Sequence, residues 1–324
     1  VRRALRRLGI GVLALAIALV SLALLSAFVY RDLPRARVEA FYAKPPSQFI
    51  EVDGVRLHVR DEGPRAAPAI LLIHGHYGSL FMWDGWMEAL TRSFRVIRFD
   101  YPSHGLTGPD PTGDYSLTRS LALIDGLVKQ LNLSRFHIVG TSLGGQFAFH
   151  YAARHPQRIE KMVLVSPGGL VREGRDPFVP QGRPFALDVV TWIAPQLLYN
   201  RLLLEGNFVD KTRITKELRE QYIELNILEG QRSAELERVA QYRAENADEA
   251  LAAVRAPTLV QWGGGNRQLG ADQADRFLAL LQGAPARKII YPDVGHLPVL
   301  EAPAATVADA IAFLQADTPQ PAAP

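Results

Sequence analysis

The chain has 324 residues, 48% of them hydrophobic, which is enough for a sizeable core and excludes wholesale disorder. It contains no cysteine, so disulfides, thiolate metal sites and a cysteine nucleophile are all excluded. The net charge of +3 is uneven: residues 1–37 carry seven arginines and one aspartate, leaving 29 basic and 32 acidic groups in the remainder. The body therefore has no nucleic-acid footprint, and none is expected as a partner.

The basic start is "VRRALRRLGIGVLALAIALVSLALLSAFVYRD". Four arginines precede an uncharged run from Leu8 to Tyr30. At about 1.5 Å per residue that run spans roughly 34 Å, sufficient for a hydrocarbon core of about 30 Å. A cleaved signal has a shorter apolar region and a small-residue cleavage site, so the expectation for residues 1–30 is an uncleaved single-pass anchor. The arginine cluster predicts an inner-membrane protein with its body on the periplasmic side. Residues 31–47, charged and holding Pro34, Pro45 and Pro46, read as a tether.

Strand-like and helix-like segments then alternate. "FIEVDG" and "VRLHVRDEG" flank an Asp53-Gly54 pair, a hairpin signal. Continuous apolar runs at 69–75, 95–100, 136–142, 161–166, 257–263 and 286–292 predict strands buried on both faces. Helical periodicity marks 116–133, 143–156 and 271–283. This alternation predicts an α/β fold with a mostly parallel central sheet covered by helices on both sides. Residues 172–250 carry only helix-like patterns, as expected of a helical lid inserted over the strand ends. The core is thus expected at 48–171 and 251–316, followed by a flexible tail at 317–324.

The sharpest local signal is "VGTSLGG" (139–145). Gly140-x-Ser142-x-Gly144 sits where a predicted strand meets a predicted helix, as a nucleophile elbow requires. Glycines let strand and helix approach around a strained turn that presents Ser142, and the helix N-terminus directs backbone N–H groups at developing negative charge. One such donor is expected from Leu143. The turn after the strand at 69–75, in "HGHYGS", is expected to supply the second, from His76 in first place and Tyr77 next, with His74 holding the turn. Tyr77 and Trp83, with neighbouring Phe81 and Trp86, are expected to contact an apolar substrate. A serine nucleophile needs a base, and His296, in a Gly-containing loop after the last predicted strand, is the histidine best placed for that role.

The motifs "HGHYGS", "FDYPSHGLTGPD", "VGTSLGG", "PTLVQWG" and "GHLPVLEAP" occur in the order and spacing of the α/β-hydrolase fold family, and residues 48–316 resemble its lid-bearing branch of esterases, lipases and C–C hydrolases. The resemblance implies Ser142 as nucleophile, His296 as base and backbone donors at His76 and Leu143. It leaves Asp100 and His104 shaping a loop. It calls for no cofactor and no metal. Serine at 142 separates the chain from branches that carry aspartate there. The departure is the acid: the family pattern W-G-x-x-D places it at Asn266, and a second family location falls on Ser166. Asp272, Asp293 and Glu301 are nearby in sequence, with Asp293 and Glu301 expected to be structural.

Asparagine can orient an imidazole through its carbonyl oxygen but brings no negative charge, and donation from its NH₂ group would favour the wrong tautomer. With the anchor read from residues 1–30, the resemblance implies a membrane-anchored hydrolase of small apolar carboxylic esters working through an acyl-enzyme, its activity weakened by Asn266. C–C hydrolysis, acyl transfer, or an impaired protein that binds an apolar ligand or partner remain as alternatives. Nothing in the sequence specifies an oligomer.

Overall fold

The computed structural model describes residues 2–170 and 184–316. The first part of the expected lid and the tail at 317–324 lie outside the described residues.

Helix α1, Arg2–Val29, is exposed along nearly all its length, and its Leu5–Val29 portion is long and apolar enough to cross a membrane. The segment expected as a tether is instead folded onto the body. Leu33 pairs with Leu228 through Leu33 N–H to Ile227 O (2.8 Å) and Glu229 N–H to Leu33 O (2.9 Å). Residues Arg35–Tyr42 form α2, with Val38 buried in a small cluster that includes Leu80, Leu106, Leu225 and Leu228. The proline count at 34, 45 and 46 pointed to loop, but the intervening apolar residues found partners on the lid.

Strands β1 (Gln48–Val52) and β2 (Val55–Glu62) form the expected hairpin. Asp53 (φ 47°) and Gly54 (φ 79°) both have positive φ, the requirement of the tight two-residue turn whose twist matches its strands. After them come β3 (Ala69–Ile73), α3 (Asp84–Leu90), β4 (Arg95–Phe99), α4 (Leu117–Gln130), β5 (Phe136–Thr141), α5 (Leu143–Arg154) and β6 (Ile159–Val165). The α4 helix begins at Ser116, whose Oγ accepts the Arg119 N–H at 3.2 Å. The insertion contributes α6 (Phe185–Ile193), a π-helical stretch Gln196–Leu204, α7 (Lys216–Asn226), α8 (Gln231–Gln241) and α9 (Ala247–Ala253). The chain then closes with β7 (Thr258–Gly263), α10 (Asp272–Leu280), β8 (Ala286–Tyr291), α11 (Pro298–Glu301) and α12 (Pro303–Gln315).

The eight strands form one sheet in the order β1-β2-β4-β3-β5-β6-β7-β8. Strand β2 is antiparallel to both neighbours, and the strands from β4 to β8 along the sheet are parallel. Residues of β3 alternate between two cores as the pleat dictates. Leu71 and Ile73 face the cluster beneath α4, α5 and α10; Ile70 and Leu72 face that of α3 and α12. From β3 the chain crosses to β4 on one side, while β5 lies on the other. The loops after β3 and β5 therefore part at the carboxyl ends of adjacent strands, where a crevice forms.

Candidate functional site

Two side chains meet in that crevice. Ser142 stands at the junction of β5 and α5 with φ 51° and ψ −119°, a strained conformation for a residue other than glycine. Sequence enforces it. A Cβ on Gly140 would lie 2.2 Å from Gly144 O, and one on Gly144 would lie 2.3 Å from the carbonyl oxygens of Ile73 and His74. Only glycine at both places lets the helix start so close to the strand. The Ser142 carbonyl is held by the N–H groups of Gly145 (3.0 Å), Gln146 (3.2 Å) and Gly168 (2.9 Å). The hydroxyl is left facing the crevice, where Ser142 Oγ lies 3.0 Å from His296 Nε2.

His296 reaches this point from the loop after β8. Its backbone N–H donates to Asn207 O at 2.8 Å. Glu301, almost fully buried, braces the same loop by accepting the N–H groups of Val209 (2.9 Å), Asp210 (2.6 Å) and Gly295 (2.6 Å). This commits both carboxylate oxygens of Glu301 to backbone, in the structural role expected. Asp272 and Asp293 are exposed, and among the described residues no carboxylate bonds to the His296 ring.

The partner of His296 Nδ1 is Asn266 Nδ2, at 3.0 Å. The Asn266 oxygen accepts the backbone N–H groups of Gln268 (3.1 Å) and Leu269 (3.0 Å), which fixes the amide orientation. Turning the amide would place its NH₂ against two N–H donors. Asn266 therefore donates to His296 Nδ1, and the ring proton lies on Nε2, toward the serine. Burial holds the His296 pKa down at about 4. This imidazole is neutral at ordinary pH, but its resting lone pair at Nδ1 points away from Ser142. Ser166, the second location for an acid, is buried with its Oγ unpartnered.

The loop after β3 packs directly on Ser142; a Cβ on Gly75 would come within 3.1 Å of Ser142 Cβ. This sets His76 beside the serine. The Leu143 N–H opens α5 and, by position, has no intrahelical acceptor. Tyr77 N–H is already given to His104 Nε2 at 3.0 Å, so Tyr77 is not a free donor. His74 has the structural role expected, with Nδ1 2.8 Å from Gly75 O and its ring stacked on Tyr101 at 4.2 Å. Asp100 shapes the following loop. Burial pushes its pKa up, but hydrogen bonds from His58 (2.7 Å) and the Leu80 N–H (2.6 Å) outweigh that and leave it lowered.

A cavity of about 260 Å³ opens over Ser142 and His296. Its floor includes Leu143 and Tyr77, and its roof includes Leu187, Leu198 and Leu203 of the insertion. Trp83, expected to contact substrate, is not part of it: its ring is fully buried and packs edge-on against Trp86 at 5.1 Å. The aromatic run from Phe81 to Trp86 follows a turn into α3, and its indoles face the core rather than the crevice.

Sequence reasoning missed Glu235. This α8 side chain is buried, bonds to His76 Nε2 and lies 3.4 Å from His104 Nε2. The ligand atoms of His76, His104 and Glu235 lie within 4.8 Å of one another, but His104 Nε2 already accepts the Tyr77 N–H. That engagement fits a hydrogen-bonded network better than a metal centre. No local signal could have paired residues 159 apart.

The profile of the α/β-hydrolase fold family matches residues 68–303. Human monoacylglycerol lipase ABHD6 is 26% identical over 261 residues, covering 78% of this chain and 76% of that protein. An uncharacterized protein of Mycobacterium bovis is 32% identical over 176 residues, and that match covers 54% of this chain and 51% of the relative, about half its length. Among solved structures, a hydrolase from Pseudomonas aeruginosa is 26% identical with a TM-score of 0.71, covering 84% of this chain and 99% of that one. A bacterial membrane phospholipase A shares the fold at 24% identity and a TM-score of 0.70, covering 97% of this chain and 98% of that one. The chain belongs to the α/β-hydrolase fold family.

Proposed function

We propose that this α/β-hydrolase is a membrane-anchored serine hydrolase of apolar carboxylic esters, slowed by the residue at position 266. Ser142 Oγ attacks the acyl carbon, and its proton passes to His296 Nε2. The backbone N–H groups of His76 and Leu143 stabilise the oxyanion, the C–O bond to the alcohol breaks as His296 returns the proton to it, and water activated by the same imidazole then cleaves the acyl-enzyme to free the acid and Ser142. The observation that carries the reading is the 3.0 Å approach of His296 Nε2 to a serine held in a strained, exposed turn under an apolar cavity. A core packing role would require neither the strain nor the imidazole.

Attack requires the other histidine tautomer, with its proton on Nδ1. Reaching it means turning the Asn266 amide against the N–H groups of Gln268 and Leu269, or leaving Nδ1–H facing the NH₂ group. An unsatisfied buried donor costs about 1–3 kcal/mol, so two cost about 2–6 kcal/mol, a factor of roughly 30 to 10⁴ in rate. In serine proteases asparagine in the acid's place costs about 10⁴. Chemistry is slowed rather than abolished.

Support for an ester substrate comes from the lipase relative and from the leucine-lined cavity. Support for anchoring comes from α1, with Arg2, Arg3, Arg6 and Arg7 on the cytoplasmic side and the body outside the inner membrane. Asn266 favours a second reading, a nearly inactive protein that binds an apolar ligand. Labelling of the purified protein by a fluorophosphonate separates the two. Labelling that disappears in Ser142→Ala supports the hydrolase; its absence, together with p-nitrophenyl ester hydrolysis no faster than Ser142→Ala, leaves only binding.

A further inference from the structure

We propose that the outer face of α6 and of the Gln196–Leu204 stretch lies in the surface of the lipid bilayer, and that the cavity takes its apolar ligand from there. The proposal rests on the anchoring of α1. If α1 crosses the membrane over Leu5–Val29, Ser26 stands three residues from the end of the span, within about 5 Å of the bilayer surface. Ser26 Oγ donates to Ile193 O, the last residue of α6. The carboxyl end of α6 is therefore held at the depth where hydrocarbon meets water.

The body cannot drift from that position. Asp32, three residues after α1 ends, bonds the buried Arg232 of α8 at 2.6 Å, and Leu33 is paired with Leu228. Three extended residues span at most about 11 Å. Tyr42 OH donates to Glu224 at 2.7 Å, extending the attachment along α7. What was expected to be a tether is a strap that joins the span to the lid.

At that depth the lid presents apolar side chains. Phe185 (79% exposed), Val189 and Trp192 follow one another at i, i+4 and i+7 and so form one stripe on α6; Leu197 and Leu202 continue it. Five large apolar residues within 18 positions are more than a water-facing surface ordinarily shows. The buried Arg232 guanidinium lies 4.2 Å from the Trp192 ring and so fixes the indole on the body. The inward sides of the same elements carry Leu187, Leu198 and Leu203, which line the cavity above Ser142. One thickness of helix thus separates bilayer from site, and an apolar chain entering between these helices need not cross water.

The test uses the four tryptophans. Trp83, Trp86 and Trp262 are fully buried, while Trp192 is 37% exposed. The full-length protein is reconstituted in phosphatidylcholine vesicles containing phosphatidylcholine brominated on its acyl chains. Flotation with the vesicles reports the anchor. Quenching of tryptophan emission by the brominated lipid, lost in Trp192→Phe, is the expected result. Flotation without any Trp192-dependent quenching overturns the docking while leaving the anchor intact, and failure to float removes both. The absence of native cysteine allows a further control: Phe185→Cys that oxidises to a disulfide-linked dimer in the vesicles, with Trp192 unquenched, would assign this face to a second copy of the chain instead.

Discussion

Asn266 donates its amide to His296 Nδ1 across 3.0 Å, while its own oxygen is held by two backbone N–H groups. A carboxylate in this place would accept from Nδ1, direct the Nε2 lone pair at Ser142 and stabilise the imidazolium. Asparagine does the reverse of the first and cannot do the last. The pair keeps the geometry of a serine hydrolase and withholds much of its driving force.

The pH dependence of turnover follows. A base must be unprotonated, so activity falls as pH drops through its pKa. Burial lowers that of His296 to about 4, and the acid limb of kcat/KM is therefore expected near pH 4 rather than 6.5. In Asn266→Asp the new carboxylate favours the protonated ring and should carry the limb upward by a unit or more. A pH–rate profile of an ester substrate checks both.

Stability should depend on pH through the same group. His74 and His296 are buried, and burial is the leading cause of a folded-state pKa near 4 for each against 6.5 unfolded. Each thus contributes stability that is complete above pH 6.5 and is lost as pH falls from there to about 4. The contribution is about 3 kcal/mol apiece at most. Urea unfolding at pH 7.5 and pH 5 should show the loss, and His296→Gln should reduce it.

Glu301→Ala leaves the N–H groups of Val209, Asp210 and Gly295 without their acceptor. At about 1–3 kcal/mol per buried orphan, with some rehydration, a destabilisation of about 3–5 kcal/mol is expected. Because Gly295 precedes His296, labelling of Ser142 should slow even where the variant remains folded. Thermal denaturation and labelling of the same sample read the two effects.

Gly144→Ala forces a Cβ to within 2.3 Å of two backbone oxygens. Backbone cannot yield as a side-chain end can, so a loss of at least about 2 kcal/mol is expected, read as a Tm lower by several degrees.

The order of strands and helices was legible because burial on both faces writes continuous apolar runs, and because Asp53-Gly54 and the 140–144 glycines have local steric causes. The structure brings together Ser142 and His296, marked by their loops, and Asn266, marked by the resemblance to the family's W-G-x-x-D pattern. The direction of the Asn266 amide was not legible, since it depends on the backbone of Gln268 and Leu269 folding back on the side chain. The indole of Trp83 turned to the core for a reason that no local pattern carries. Leu33–Leu228, Asp32–Arg232 and His76–Glu235 each join residues more than 150 positions apart, so only the folded chain discloses them. Residues 31–47 read as a tether in sequence because prolines bracket them, while the partners that hold them, such as Leu228 and Glu224, lie in the insertion.

On the proposed mechanism Ser142 and His296 form a working but misdirected pair. The most direct measurement is the rate at which a fluorophosphonate labels Ser142 in the parent, Asn266→Asp and Ser142→Ala proteins, with the labelled peptide identified by mass spectrometry. A misdirected pair should give slow labelling of the parent at Ser142, labelling about 30- to 10⁴-fold faster in Asn266→Asp, and none in Ser142→Ala. Equal rates in the parent and Asn266→Asp, or no labelling of either, would contradict it.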